Sequence, residues 1–209
     1  MEADEARRTY DTIAAEYAQI FFDELSRKPF DRSLLERFAR ECPDGRIADI
    51  GCGPGHVGRF LSELGRDVVG VDLSPGMVET ARRMNPQMSF EVADMRTLPF
   101  DDGTLAGLVA FYSLIHIDRG GVPTVLGEFH RVLRAGGKVL LAVHGGTGLM
   151  EEHEILGRPV RYVATLFTKD ELAGLLEGAG FRDVEAMQRE KYDFETHSPR
   201  VYAEATKRS

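Results

Sequence analysis

Three aspartates and a cluster of glycines recur at short intervals in the first half of the chain. Residues 49–55 read Asp-Ile-Gly-Cys-Gly-Pro-Gly, and Asp72 and Asp94 follow farther along. Glycine allows tight turns and lets the backbone approach a ligand closely, because it has no Cβ. Carboxylates accept hydrogen bonds from hydroxyl and amino groups. Together these residues predict a site for a nucleoside-like ligand with such donors, and they argue against one led by a pyrophosphate or carrying a 2′-phosphate.

Each of these features also has a simpler explanation. Glycines alone can serve a tight strand-to-helix turn, and a carboxylate at a strand end can simply be solvated. Gly53, Gly55 and Gly58 match the pattern G-x-G-x-x-G, which is weakly specific by itself. Three acids at consecutive strand ends, with few cations beside them, are harder to explain as surface charge.

Two histidines, His116 and His144, lie where a reacting group could meet them. Imidazole titrates near neutral pH, so either ring could take a proton from a hydroxyl group. The alternatives are a loop histidine bonded to backbone and a structural residue at a strand end. No histidine or cysteine spacing indicates a metal site.

The elements that position these residues follow an alternating pattern of strand and helix. Such alternation is typical of a mostly parallel sheet with helices on both faces. We therefore expect a Rossmann-like, doubly wound α/β fold with seven strands, an antiparallel C-terminal strand and an N-terminal helical cap over residues 1–42. The predicted strands are 46–50, 67–72, 88–92, 105–112, 138–144, 181–189 and 198–205, and the predicted helices are 2–20, 30–40, 55–64, one from Ser74-Pro75, 122–133 and one from Thr168 to Gly180.

The predicted strand ends gather the candidate residues. Ligands of open α/β sheets bind beyond the carboxyl ends of the strands. Asp49, Asp72, Asp94, the pair Phe111-Tyr112, and His144 all stand at or just after such ends. The sequence thus predicts one site at one edge of the sheet.

Composition narrows the class of protein. The 209 residues are 43% hydrophobic and 29% charged, with a formal net charge of -8. That charge disfavours nucleic acid and anionic membranes as partners. No apolar run approaches the ~20 residues of a membrane span, and the acidic first residues lack the order of a signal peptide. We expect a single cytoplasmic domain over residues 1–209.

Four segments in order resemble the class I S-adenosylmethionine-dependent methyltransferases, in particular bacterial enzymes that act on small molecules. The segments are Ala48–Gly55, Gly70–Met77, Ala93–Met95 with Leu98-Pro99-Phe100, and Glu128–Gly137. The resemblance implies S-adenosylmethionine as cofactor and methyl transfer to oxygen, nitrogen or carbon of a metabolite.

The resemblance also implies roles for individual residues around the cofactor. In members of this family the N-terminal helices cover the cofactor. Members that methylate amino groups of DNA bases carry an Asn/Asp-Pro-Pro-aromatic motif, which is absent at Phe111-Tyr112-Ser113-Leu114, so we do not expect that activity here. The implied contacts are Asp49 with the methionine ammonium, Gly51, Gly53 and Gly55 with the methionine portion, Asp72 with the ribose hydroxyls, Leu73, Met77 and Met95 with the adenine ring, Asp94 with its amino group, Phe111 and Tyr112 on the far side, and Tyr17 or Tyr10 near the carboxylate.

Residues 145–168 are predicted to form a lid on the acceptor side, since loops over a rigid sheet commonly carry substrate choice. Met150, Tyr162 and Phe167 suit an apolar or aromatic acceptor, or else ordinary core packing. Arg158 and Arg161 suit surface charge better than binding of an acceptor carboxylate. We expect a small-molecule acceptor and a monomer or homodimer.

Two other functions stay open at this point. A protein could bind S-adenosylmethionine without transferring its methyl group. The spacing of Gly53, Gly55 and Gly58 would also allow an NAD-dependent oxidoreductase. Asp49 and Asp94 argue against that function.

Overall fold

A computed structural model describes residues 3–195 and 198–208, so Glu2, the first residue of the predicted N-terminal helix, lies outside it. The helices are α1 (Ala3–Phe21), α2 (Pro29–Glu41), α3 (His56–Glu63), α4 (Pro75–Met84), α5 (Val122–Val132) and α6 (Lys169–Gly178). The strands are β1 (Ile47–Ile50), β2 (Val68–Asp72), β3 (Ser89–Val92), β4 (Leu105–Phe111), β5 (Leu133–His144), β6 (Leu149–Glu152), β7 (Tyr162–Thr165), β8 (Arg182–Arg189) and β9 (Arg200–Thr206).

Seven strands form one sheet in the order β3-β2-β1-β4-β5-β9-β8. The first five pair in parallel, whereas β9 runs antiparallel to both β5 and β8. This confirms the predicted Rossmann-like α/β fold with its antiparallel C-terminal strand. The order reverses between β1 and β4, which is where such sheets bind ligands.

The central strands are buried on both faces, as their apolar sequences predict. Every residue of β4 is buried. One face packs against α5 and α6 through side chains such as Phe129 and Leu172. The other face packs against α2 and α3 through Phe38 and Leu61. Burial of both faces makes the sheet a rigid base for the loops at its edge.

Two helix starts follow directly from their sequence signals. The Ser74 hydroxyl accepts a hydrogen bond from Met77 N at 3.1 Å, with Pro75 as first helical residue. The Thr168 hydroxyl accepts one from Glu171 N at 3.2 Å. Ser74 and Thr168 thus cap the two helices that the sequence predicts to start at these residues.

The predicted lid contains structure that its sequence did not indicate. Within residues 145–168, β6 and β7 form an antiparallel two-stranded sheet, with Met150 opposite Ala164. Val163 and Ala164 are buried. Packing on the main domain therefore stabilises these short strands, which are marginal on their own. β5 also starts earlier than predicted, because Leu133 pairs with Leu105.

The N-terminal segment divides into two parts. α2 covers one face of the sheet, whereas α1 crosses the ligand edge and packs on α4. The carboxylate of Asp11 accepts hydrogen bonds from Ser74 Oγ at 2.5 Å and Gly76 N at 3.0 Å. Within the described chain, no helix is both long and apolar enough to cross a bilayer.

Candidate functional site

A cavity of about 1100 Å³, including its mouth, lies between α1 and the carboxyl ends of the strands. Its size suits a nucleoside-sized ligand with room beside it. Asp49, Gly55 and His144 lie outside its wall. The predicted site residues that line it are Tyr17, Gly51, Gly53, Asp72, Leu73, Met77, Asp94, Met95, Phe111, Tyr112 and His116.

The glycine loop presents bare backbone to this cavity. Gly51 has φ +67°, and a Cβ there would lie 2.1 Å from Ser113 Cβ, so only glycine fits. Gly53 has φ +52°, and its hypothetical Cβ would meet only a Tyr17 ring carbon, at 3.9 Å. A ligand can therefore approach the backbone directly at Gly53.

Asp72 is held against this loop by backbone hydrogen bonds. Its two carboxylate oxygens accept from Gly53 N at 2.8 Å and from Ser74 N at 2.9 Å. Burial raises the pKa of Asp72, and these hydrogen bonds oppose the rise. Since a carboxylate offers about four acceptor positions, Asp72 keeps capacity for donors in the cavity.

Asp49 lies behind the loop and is 2% exposed. Its carboxylate accepts a hydrogen bond from Gly58 N at 2.9 Å, which anchors the start of α3. Burial raises the pKa of Asp49 to about 6, although the nearby His56 and the Gly58 hydrogen bond oppose this rise. Asp49 is therefore an acid that titrates close to physiological pH.

The third acid, Asp94, has a cationic neighbour that the sequence analysis did not expect. Arg96 binds both of its carboxylate oxygens, at 2.6 Å for the shorter ion pair. This contact holds the pKa of Asp94 below its ordinary value. The expectation of few neighbouring cations is wrong here because the guanidinium, two residues on, folds back onto the carboxylate.

His116 has both ring nitrogens in hydrogen bonds. Nδ1 lies 3.1 Å from the Val163 carbonyl oxygen, and Nε2 lies 2.6 Å from the hydroxyl of Tyr10. A carbonyl only accepts, so Nδ1 carries the proton and Nε2 accepts from Tyr10. Burial lowers the pKa of His116 to about 4, which leaves a neutral ring with one defined tautomer at neutral pH.

His144 occupies a different position, beside Tyr112 and Tyr162. Its Nε2 lies 3.5 Å from the Tyr162 hydroxyl, and its ring centroid lies 5.4 Å from that of Tyr112. Its buried Nδ1 has no hydrogen-bond partner within the part of the chain that the structure describes. Burial, with the nearby Arg200 charge, lowers the pKa of His144 to about 3.

A row of aromatic rings runs from α1 through His116 to Tyr162. Neighbouring rings along this row have centroids 4.4–5.9 Å apart. We call the row the aromatic belt; it consists of Phe21, Tyr17, Tyr10, His116 and Tyr162. The belt draws on three separate elements of the chain.

A buried ionic network lies behind Tyr112, and the sequence analysis missed it. Asp31 is fully buried and accepts hydrogen bonds from Tyr112 at 3.1 Å and from Tyr202 and Arg189 at 3.0 Å. Arg189 also pairs with Glu195 at 2.7 Å. Separations of up to 171 residues hide these contacts from local patterns. The available signal was the presence of charged residues on the buried side of α2 and β9.

A second missed group, Glu24, reaches the cavity wall from the turn before α2. Its carboxylate lies 3.0 Å from His56 Nε2 and 2.7 Å from Lys28 Nζ. Burial opposes ionisation, but the contacts with His56 and Lys28 prevail and lower the pKa of Glu24 to about 2. Glu24 is therefore ionised at the cavity wall, in an ion pair with Lys28.

The residues of the predicted lid divide between core and surface. Phe167 is fully buried, and Met150 packs against the same core. Arg158 pairs with Glu16, and Arg161 pairs with Glu5 and Glu151, so both arginines have acidic partners on or near α1. In the described ranges 3–195 and 198–208, no group of His, Cys, Asp or Glu side chains has the arrangement of a metal site.

Comparison with known proteins supports the family indicated by these features. A family model described as a methyltransferase domain matches residues 47–137. The chain is 31% identical over 109 residues to a malonyl-[acyl-carrier protein] O-methyltransferase of Serratia marcescens, covering 52% of this chain and 42% of that protein. It is also 31% identical over 141 residues to a demethylmenaquinone methyltransferase of Beutenbergia cavernae, covering 66% and 55%. The chain thus spans about half the length of these curated relatives.

A solved structure agrees over nearly the whole fold. The 1,6-didemethyltoxoflavin-N1-methyltransferase of Burkholderia thailandensis, with 1,6-didemethyltoxoflavin and S-adenosylhomocysteine bound, superposes with a TM-score of 0.75. The match has 22% identity and covers 99% of this chain and 89% of that one. Residues 47–137 thus match a methyltransferase domain, and with the glycine loop and the strand order the chain is similar to the class I S-adenosylmethionine-dependent methyltransferases.

Proposed function

We propose that this protein transfers the methyl group of S-adenosylmethionine to a small-molecule acceptor. The observation that carries the proposal is the pairing of Gly53 N with Asp72 at the edge of an open cavity. It places bare backbone beside a carboxylate with spare acceptor capacity. A nucleoside joined to an amino acid needs this combination.

The residues of the cavity fit the cofactor chemically. Asp72 would hold the ribose hydroxyls, and the apolar side chains of Leu73, Met77 and Met95 would contact the adenine. Asp49 and Glu24 supply negative charge for the methionine ammonium, and Asp49 would act across the glycine loop or through water. When bound, S-adenosylmethionine supplies a methyl group on a cationic sulfur that leaves as a neutral thioether.

Catalysis then depends mostly on position. An in-line displacement requires the acceptor atom and the methyl carbon to be held in line, and orientation alone supplies large accelerations. A base is needed only for an acceptor that arrives protonated. His116, on the cavity wall, and His144, behind Tyr112, are the candidates for that proton.

The acceptor that this site favours is small and carries no free anionic group. The aromatic belt offers ring surfaces, and Arg158 and Arg161 are already paired with acids. A formal net charge of -8 disfavours nucleic acid and anionic membranes as partners. We further propose that the protein is cytoplasmic and works as a monomer or homodimer.

Two measurements test this function. Isothermal titration with S-adenosylmethionine and with NAD should show binding of the first alone. Incubation with methyl-labelled S-adenosylmethionine and a metabolite extract should move label into a product. Cofactor binding without any labelled product would favour a protein that uses the cofactor otherwise, and binding of NAD alone would refute the proposal.

A further inference from the structure

We propose that Tyr10 is the group that contacts the nucleophile of the methyl acceptor, and that His116 acts only through Tyr10. This inference rests on the proposed function. It makes Tyr10 a catalytic residue and His116 a positioning residue that completes a proton relay. It also predicts an acceptor whose reacting atom carries a proton.

Geometry prevents His116 from meeting the acceptor directly. Its Nδ1–H is committed to the Val163 carbonyl at 3.1 Å, and its Nε2 lone pair is committed to the Tyr10 hydroxyl at 2.6 Å. Neither nitrogen has a free position for a second partner in the ring plane. A proton from the acceptor can therefore reach the imidazole only by way of Tyr10.

Tyr10 is suited to pass a proton from the acceptor to His116. Its hydroxyl gives its only proton to His116, so its oxygen lone pairs are available to accept a proton. Its side chain lines the same cavity as Asp72 and Gly53. The nucleophile would thus donate to Tyr10 Oη while it faces the methyl group.

The two residues beside Tyr10 hold this part of α1 in place. Thr9 Oγ1 donates to the Arg161 carbonyl at 3.0 Å, and Asp11 accepts from Ser74 and Gly76 of the α4 start. Tyr10, between them, is therefore anchored on both sides before any acceptor arrives. A preorganised donor–acceptor pair avoids reorganisation at the moment of reaction.

The proton transfers balance in charge. As the nucleophile bonds to the methyl carbon, its proton moves to Tyr10 Oη and the Tyr10 proton moves to His116 Nε2. The carbon–sulfur electron pair stays on sulfur, which becomes neutral while the imidazole becomes cationic. The cavity thus holds the same net charge before and after transfer.

The Tyr10–His116 pair also indicates a class of acceptor. The buried imidazole is a weak base, with a pKa of about 4. A weak base suits a nucleophile whose proton is already acidic, such as a phenolic or enolic hydroxyl, better than an alkyl alcohol. The rings of the aromatic belt beside Tyr10 suit the flat, conjugated group that carries such a hydroxyl.

The test uses nuclear magnetic resonance of the full chain with ¹⁵N-labelled histidine, in complex with S-adenosylhomocysteine. Phenol serves as the proton-bearing probe, and anisole serves as its matched probe without that proton. We expect a protonated Nδ1 and a hydrogen-bonded Nε2 in His116. Relative to the complex without a probe, phenol should shift the Nε2 resonance, whereas anisole should leave it unchanged.

Variants then assign the contact. Tyr10→Phe, saturated with S-adenosylhomocysteine, should lose the phenol response. Thr12→Ala, an exposed hydroxyl change on the same helix, should respond like the unchanged protein. The inference is overturned by a phenol response that persists in Tyr10→Phe, by equal responses to phenol and anisole, or by no response to phenol.

The probe comparison in the unchanged protein stands even if Tyr10→Phe does not fold. Failure of the unchanged protein to bind S-adenosylhomocysteine would refute the proposed function, and this inference with it. Binding of S-adenosylhomocysteine without the phenol response would refute the relay alone. The two failures are therefore distinguishable.

Discussion

The cofactor end of the cavity and its acceptor side are built in different ways. At the cofactor end, hydrogen bonds join near neighbours, such as Gly53 to Asp72 and Asp94 to Arg96. On the acceptor side, Tyr10 meets His116 across 106 residues of sequence, and Asp31 meets Arg189 across 158. The first is a set of strand–loop–helix turns, whereas the second is an assembly of distant elements.

This difference has energetic consequences. Turns at strand ends are supported by a sheet that is already formed, so a single side chain there affects the ligand more than the fold. The acceptor side contains the buried ionic network around Asp31. Removal of one charged side chain from it leaves the opposite charges without a partner in a buried site. Mutations in the two regions should therefore separate binding from stability.

The largest effect should come from Asp31→Ala. The change leaves Arg189 and the Tyr112 and Tyr202 hydroxyls without their shared carboxylate in a buried site. We expect a loss of about 3–5 kcal/mol in the free energy of unfolding. Denaturant unfolding measures it, with Asp67→Ala, an acid in an exposed pair with Arg46, as control. A loss below about 1 kcal/mol would show that the network does not support the fold.

His116→Ala should chiefly slow turnover. Removal of the ring takes away the hydrogen-bond partner of Tyr10, and we expect kcat to fall about 100-fold. Cofactor affinity should change less than threefold. Steady-state kinetics with the labelled cofactor and titration calorimetry measure the two quantities. An unaltered kcat would remove His116 from the reaction and leave His144 as the candidate.

Asp72→Ala should weaken cofactor binding and leave the acceptor side intact. Loss of a charged acceptor for the ribose hydroxyls should cost about 1–3 kcal/mol of binding free energy. Isothermal titration measures this loss. Asp67→Ala, at the residue just before the start of the same strand, serves as the matched control and should bind the cofactor normally. Equal affinity in the Asp72 variant would refute its assignment to the ribose.

A smaller effect should appear with pH. The pKa of Asp49 is raised to about 6 in the folded protein, so its carboxylate takes up a proton as pH falls through 6. The cofactor ammonium favours the ionised form, and affinity should thus drop about fourfold between about pH 7.5 and about pH 5.5. Titration calorimetry at the two pH values tests this.

Asp49→Asn provides the control for that titration. The amide cannot ionise, so the Asp49-dependent part of the pH response should disappear. Asp72, whose pKa is also raised by burial, stays in both proteins. A pH response of the same size in Asp49→Asn would assign it to another group.

The parallel sheet and the glycine loop could be predicted because their signals are local. Apolar runs such as β4 indicate strands buried on both faces, and Ser74-Pro75 marks a helix start within four residues. The β6–β7 pair could not be predicted, since its strands are stabilised by the domain beneath them. The ion pair between Arg96 and Asp94 depends on the path of one side chain, which spacing does not indicate.

The sequence by itself determined the α/β fold, the order of its elements and the acids at three strand ends. These properties follow from hydrophobic periodicity and turn chemistry, which act over a few residues. Only the tertiary structure decided that Tyr10 meets His116 and that Asp31 joins Tyr112, Tyr202 and Arg189. Such contacts depend on how whole helices and strands pack, and no local pattern records which distant side chains that packing brings together.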